Sequence, residues 1–323
     1  MTDSPTRRTV VVTGAAGFIG SHLVMRLLDE NCRVIAVDDL SSGTLENLAE
    51  ARKLYPKECM FHRLDIRRGG LTDLVETHQP EAIFHLAAHI DVRRSLREPI
   101  LDADINILGT IAVLEAARAG NVRKIVYASS IGSYGHPVDP NQRVDESCTD
   151  PALSPYGVSK RAAMGYFYSY AELYGLAWTA LTLANVYGPG QTTSGEGGVV
   201  ATFLGAMLRG EPCTIFGDGE QTRDFVYVED VVDAFYRGLD LGDNDRFVIG
   251  TGTASSINDV FRDLAALTEY AYGPVHGPAI PGEIRHSTVN PARAKQHLQW
   301  QSSTSRETGL AATVAWARRI AAE

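Results

Sequence analysis

Residues 9–29 read TVVVTGAAGFIGSHLVMRLLD, and the order of residue types along this stretch decides the fold. Val10-Val11-Val12 is the unbroken apolar run of a buried strand, and from His22 to Asp29 the residues Leu23, Leu27 and Leu28 recur at helical spacing. Between strand and helix, Gly14, Gly17 and Gly20 stand three apart. In a strand-to-helix turn the first such glycine permits the tight bend, the second lets backbone approach a pyrophosphate, and the third lets helix and strand pack closely. The helix then presents its unpaired N–H groups to the negative charge.

Working outward, Arg33–Val37 is a second strand pattern that ends on Asp38. An acid there can accept hydrogen bonds from a ribose diol, and with no basic residue directly after it, it repels a 2′-phosphate, so NAD is favoured over NADP. Three glycines in a chain with 30 could by themselves mark only a turn. It is the strand, helix and acid around them that make a dinucleotide site.

The alternation continues. Ala82–His85 reads as a strand, Ile105–Ala119 as a helix, Lys124–Ala128 as a strand, Ser154–Tyr174 as a long helix and Trp178–Leu183 as a further strand. Strands alternating with helices imply a parallel sheet covered on both faces. Beyond about Asn185 the rhythm breaks into glycine-rich loops at Gly188–Gly198 and Gly217–Gly219. The expected architecture is an α/β protein of the Rossmann type, a doubly wound parallel sheet, with residues 1–184 forming the NAD-binding domain and carrying the long helix. Residues 185–323 would form mainly a smaller, partly discontinuous α/β substrate-binding lobe, with some segments returning to the first core.

At 323 residues and 44% hydrophobic, the chain can bury a substantial core. A net charge of −9 with acids and bases mixed throughout offers no basic stripe for a nucleic acid. Cys32, Cys59, Cys148 and Cys213 are scattered without metal-ligand spacing, so no metal is expected and reduced thiols in a cytoplasm are. Residues 1–8 are short, polar and basic, and no apolar run follows that would suit a signal peptide or membrane span.

Tyr156 and Lys160 lie four apart in the long helix pattern, hence on one face. Such a pair also arises by chance. Its chemical sense is that an ammonium beside a phenol favours the phenolate and makes it a general base. Ser130 closes the strand beginning at Lys124, at the carboxyl edge where ligands of parallel sheets gather. A hydroxyl partner to Tyr156 and an ordinary strand-end hydrogen bond are both open readings of it.

Taken together, TGAAGFIG at 13–20, VDDL at 37–40, HLAA at 85–88, SSIGSYG at 129–135, YGVSK at 156–160 and NVYGPG at 185–190 resemble the extended short-chain dehydrogenase/reductases. Within them the chain looks most like the UDP-glucose (UDP-galactose) 4-epimerases and their relatives on other UDP-sugars. The resemblance implies that Ser130, Tyr156 and Lys160 are catalytic. It implies that Gly14, Gly17, Phe18, Ile19, Gly20, Asp38, Asp65, Ile66, Leu86, Ala87, Ala88 and Lys160 hold NAD. It further implies that Ser130, Tyr156, Asn185, Gly198, Val199, Arg223 and Glu283 hold the nucleotide sugar. Arg223 falls in FGDGEQTRDFVYVED at 216–230, similar to the family's nucleotide-sugar signature. The alternative for it is a surface arginine beside Asp224 and Glu229. For Gly197, Gly198 and Val199 the alternative is a merely flexible loop.

Related 4,6-dehydratases and decarboxylases carry an acid shortly after the catalytic Ser/Thr, where this chain has Ile131-Gly132. Without that acid, oxidation and re-reduction at one carbon is implied rather than elimination of water. Other positions depart from the pattern. Ile280 stands where a second diphosphate arginine is usual, with Arg285 as a nearby substitute. Ser287 stands near a position usually filled by tyrosine, which suggests room for an N-acetyl group, and Gly190-Gln191-Thr192 lacks the arginine common among uronate epimerases. The alternatives are a UDP-glucuronate 4-epimerase, another nucleotide-sugar epimerase or dehydratase, and, from another class, a catalytically silent NAD-binding regulator. Family members dimerise through two helices, here Ser154–Tyr174 and about Ile100–Ala119. Tyr166, Phe167 and Tyr170 supply apolar area for that contact or for the core.

Overall fold

The computed structural model describes residues 7–135, 142–192, 198–280 and 284–322. The chain divides into two compact units, each discontinuous in sequence. One comprises residues 1–133, 152–182 and 232–247, the other residues 134–151, 183–231 and 248–323.

The first unit opens with β1 (Thr9–Thr13), α1 (Phe18–Asp29), β2 (Arg33–Asp38), α2 (Ala49–Leu54), β3 (Cys59–Arg63), α3 (Leu71–His78) and β4 (Ala82–His85). It continues through the short helices α4 (Val92–Arg97) and α5 (Pro99–Ala103) to α6 (Gly109–Ala119), β5 (Lys124–Ser130), α7 (Pro155–Tyr174) and β6 (Ala177–Leu183). The seven-stranded sheet runs Asp245–Ile249, β6, β5, β4, β1, β2, β3. The ladders joining β3, β2, β1, β4 and β5 are all parallel. Val10, Val11 and Val12 are wholly buried, as apolar runs must be in a sheet covered on both faces. The chain winds outward from β1 in both directions, which makes the carboxyl ends of β1 and β4 the topological switch point.

Two expected boundaries shift. α1 begins at Phe18, four residues before His22, because Gly17 serves as its N-cap. The helix expected over Ile105–Ala119 is a π-helical turn at Asp104–Leu108 followed by α6. Apolar periodicity runs through both pieces and hides the break, at whose centre the polar Asn106 is buried.

The second unit has its own core, in which Tyr187, Phe203, Phe225, Phe261 and Leu264 are buried together. Helices Val199–Leu208, Ile257–Thr268 and Arg306–Ala322 pack on one another around it. Strand Asn185–Tyr187 pairs in parallel with Phe225–Tyr227. The short strand Thr222–Arg223 lies between Ser255–Ser256 and His286–Ser287. Ser256 and Asp259 close a capping box at the start of the Ile257 helix. No helix among the described residues is long and apolar enough to cross a membrane.

Candidate active site

The glycine turn is built as its spacing demands. Gly14 has φ +71°, and a Cβ there would stand 2.7 Å from the amide nitrogen of Ala87, so both backbone and space require glycine. A side chain on Gly20 would collide with the carbonyl oxygen of Gly14. Gly17 is extended and caps α1 without any side-chain hydrogen bond, and Gly17, Phe18 and Ile19 are half-buried. The first-turn amides of α1 are thereby left for an anion. These are features a pyrophosphate-bearing cofactor requires, and the turn fits one.

Asp38 ends β2 and is buried. Its Oδ2 accepts the Ala16 N–H at 2.9 Å and its Oδ1 the Leu40 N–H at 2.8 Å. Burial pushes its pKa up, and the two amide bonds pull it back. Two residues that sequence reasoning missed hold the same turn from outside: Asn47 Nδ2 donates to the Ala16 carbonyl at 2.8 Å, and a Cβ on Gly43 would stand 2.6 Å from that same carbonyl. An isolated Asn and Gly in a loop carry no spacing signal.

Asp65 accepts from the Arg67 N–H, Nε and Nη2 at 3.0, 2.9 and 2.6 Å, and Arg67 Nη1 reaches Asp104 at 2.6 Å. The guanidinium holds the Asp65 carboxyl below its usual range. Ile66 is buried, while Leu86, Ala87 and Ala88 continue half-buried from the end of β4.

A buried chain of hydroxyls sets that strand end. The Ala87 N–H donates to Thr13 Oγ1 at 3.3 Å, and Thr110 Oγ1 donates to the Asn106 carbonyl at 2.7 Å. With the Thr110 proton committed, His85 Nε2 donates to Thr110 Oγ1 at 3.1 Å, and its Nδ1 accepts from Thr13 Oγ1 at 2.8 Å. One ring proton suffices. Burial, aided by the nearby Lys160 charge, pushes the His85 pKa down to about 3, so this imidazole is neutral.

Ser130 and Tyr156 meet around Gly132. A Cβ on Gly132 would lie 3.5 Å from Ser130 Oγ and 3.6 Å from Tyr156 Cε1, and the Gly132 N–H donates to Ser130 Oγ at 3.2 Å. Gly157 must also be glycine, since a side chain would strike the Gly132 carbonyl. α7 starts cleanly: Ser154 caps it by accepting the Gly157 N–H at 3.1 Å, and Pro155 occupies its first turn. Lys160, 3% exposed, donates from Nζ to the Ala128 carbonyl at 3.0 Å. Burial lowers its pKa to about 7, against a smaller upward pull from Asp102.

Sequence reasoning missed the polar net that fixes α7. Ser95 Oγ accepts the Tyr156 N–H at 3.2 Å, and Ser159 Oγ donates to the Tyr156 carbonyl at 2.9 Å. Asn106 Nδ2 reaches Ser159 Oγ at 3.1 Å and Asp102 Oδ1 at 3.1 Å. Asn106 Oδ1 accepts the His89 N–H at 2.9 Å, and Asp102 Oδ1 stands 3.0 Å from His89 Nδ1. The π-helical turn is what brings Asn106 inward, as such bulges often do at functional sites.

In the second unit, Asn185 is exposed at the head of its strand, with its N–H bonded to the Asp224 carbonyl at 2.9 Å. Gly198 caps the helix Val199–Leu208 without a side-chain hydrogen bond. Arg223, half-buried, lies in register between Ser255 and Ser287 and donates from Nη1 to the Thr222 carbonyl at 2.8 Å. The neighbouring Asp224 carboxylate accepts from Thr251 N, Thr251 Oγ1 and Gly252 N at 2.8, 2.7 and 2.8 Å. Arg285, the expected substitute for an arginine at 280, grips Asp218 with both terminal nitrogens at 2.6 and 2.8 Å. Gly197 and Glu283 lie outside the described residues.

Residues 10–250 match the NAD dependent epimerase/dehydratase family. The chain is 44% identical over 310 residues to a UDP-glucose 4-epimerase of Mycolicibacterium smegmatis, covering 95% of this chain and 98% of that protein. Among solved structures, UDP-glucose 4-epimerase of Thermotoga maritima with UDP-glucose superposes with a TM-score of 0.92 at 41% identity, covering 97% and 99% of the two chains. The Thermus thermophilus UDP-glucose 4-epimerase in complex with NAD does so with a TM-score of 0.88 at 35% identity, covering 96% and 99%.

Proposed function

Because the chain belongs to the NAD dependent epimerase/dehydratase family, we propose that it inverts C4 of a UDP-hexose, with UDP-glucose and UDP-galactose as the interconverted pair. One observation carries the choice of reaction. Where dehydrating relatives are expected to place an acid, Gly132 leaves bare backbone against Ser130 Oγ and the Tyr156 ring. A hydroxyl and a phenol with glycine where that acid is expected suit oxidation and re-reduction at one carbon, not loss of water.

Bound NAD supplies the reversible hydride acceptor that this chemistry needs. Gly14, Gly17, Phe18, Ile19 and Gly20 cradle its pyrophosphate, Asp38 meets its ribose, and Asp65, Ile66, Leu86, Ala87 and Ala88 line the rest. As phenolate, Tyr156 accepts the O4 proton while C4 is oxidised to the ketone, and returns it on reduction from the other face. Ser130 holds O4 in that proton path, and the Lys160 ammonium favours the phenolate. In the second unit, Asn185, Gly198, Val199 and Arg223 hold the nucleotide sugar, the guanidinium taking a phosphate.

Ser287, small and buried opposite Arg223 in the strand register, favours acceptance of an N-acetylated sugar as well. We further propose a cytoplasmic homodimer with no nucleic-acid or membrane partner. The dimer face draws on exposed Ile100, Leu108, Val158 and Tyr166. Phe167 is buried in the first unit's core, so it contributes nothing to that face.

The test is incubation of the purified protein with UDP-galactose, UDP-GlcNAc and UDP-glucuronate, followed by separation of the 4-epimers. Turnover of UDP-galactose is expected, with a loss of about 10²–10⁴-fold in Tyr156→Phe and undiminished NAD retention. Turnover confined to UDP-glucuronate, or a fully active Tyr156→Phe, refutes the assignment.

A further inference from the structure

Lys160 is buried, yet one carbonyl, that of Ala128, is the hydrogen-bond acceptor its Nζ meets within 3.0 Å. Burial strips an ammonium of hydration, so every group of the chain that meets it counts. A second stabilising group lies beneath it: Nζ stands over the face of the Tyr127 ring, 4.8 Å from its centroid. An aromatic face carries negative potential, and its attraction for a cation grows when water is excluded.

Tyr127 is itself immobilised. It is wholly buried on β5, with Phe167 at 4.8 Å and His85 at 5.5 Å, centroid to centroid. Lys160 and Phe167 are seven apart on α7, hence on one helix face, so the helix that carries the cation also clamps the ring beneath it.

We propose that Tyr127 is a positioning residue for the reaction: its ring face, not its hydroxyl, seats the Lys160 ammonium and keeps it charged within the core. This rests on the role given to Lys160 above. Other ionisable groups face Lys160 as well. His85 on β4 is neutral, and Tyr156 lies one turn earlier on α7. Asp102 on α5 is a buried carboxyl whose Oδ1 is shared between His89 and Asn106. Asp102 adds favourable charge but leaves the ring as the surface on which the ammonium rests.

The experiment replaces Tyr127 by phenylalanine and then by phenylalanines bearing one, two and three ring fluorines. Ring shape is nearly constant through the series, while the face loses its negative potential. With five lysines in the chain, ¹³Cε labelling gives few signals, and Lys160 is the one lost in Lys160→Met. Its titration midpoint is expected to match wild type in Tyr127→Phe and to fall stepwise with fluorination, by about one pH unit, or tenfold, across the series. The basic limb of kcat/KM should fall in step, while the melting temperature at pH 9, where the folded-state lysine is neutral throughout the series, stays constant, which a purely structural role would not produce. A midpoint indifferent to fluorination overturns the proposal, and so does one fully displaced by Tyr127→Phe. Full turnover in Lys160→Met would instead remove the catalytic role of Lys160 while leaving the ring contact to be read from the titration alone.

Discussion

Lys160 places an ammonium where burial works against its charge. Its pKa, lowered to about 7 by burial, lies below that of a lysine in the unfolded chain, so between about pH 7 and 10 the unfolded state binds more protons. Stability must then rise with pH through that window. Lys160→Met should flatten that rise and, near neutral pH, raise stability of the cofactor-free protein by about 1–3 kcal/mol while removing turnover. Thermal melts at pH 6 and 9 check this, and a destabilised Lys160→Met would show that the ammonium is held at no net cost. At this scale the sequence was informative wherever a residue type has one physical use. Gly14 and Gly20 could be assigned from spacing, because a Cβ at either position would collide with backbone. His85 could not be read in that way, for its neutrality comes from burial close to Lys160, and the threonine hydroxyls that fix its tautomer lie 72 residues before it and 25 after it in the chain.

Among the elements, α7 and the strands β1, β2, β4 and β5 were legible, since each has a strong period or an unbroken apolar run between turn residues. The π-helical turn at Asp104–Leu108 was not, because its neighbours share the helical period and the extra residue per turn leaves no compositional mark. Its contribution is nevertheless specific. Asn106 joins the segment after β4 to Ser159 on α7, through bonds to the His89 N–H and to Ser159 Oγ. Asn106→Ala leaves the His89 amide and Asp102 with fewer partners in a buried setting, which should cost about 1–3 kcal/mol. It should also loosen the helix that carries Tyr156. Hydrogen exchange at the first turns of α7 is the direct measurement, with faster exchange there than in β2 expected; uniform exchange would mean that Ser154 and Ser95 suffice to hold the helix.

For the molecule as a whole, composition and the strand–helix rhythm gave the α/β class, whereas the second unit was only a loss of rhythm. Its strands of two or three residues are too short to show a period, and their partners are remote in sequence: Thr222–Arg223 pairs with Ser255–Ser256 and His286–Ser287. The exposed apolar side chains of the first unit raise an assembly question. Ile100 is 85% exposed and Val158 52%, and isolated apolar residues are ordinary, but these lie on the two segments proposed to pair between copies. Ile100→Asp combined with Val158→Asp should convert a dimer to a monomer by light scattering without unfolding the chain, and an unchanged mass would place the contact elsewhere. The interleaving of the two units also bears on how the protein is made. The first unit includes residues 232–247, so a ribosome must synthesise residues 134–151 and 183–231 of the second unit before the last piece of the first. Until then β6 stands as an open edge of a parallel sheet, a surface prone to wrong pairing. The nascent chain is therefore most in need of a chaperone between the emergence of β6 and that of Asp245–Ile249, when the glycine turn and α7 are already outside the exit tunnel.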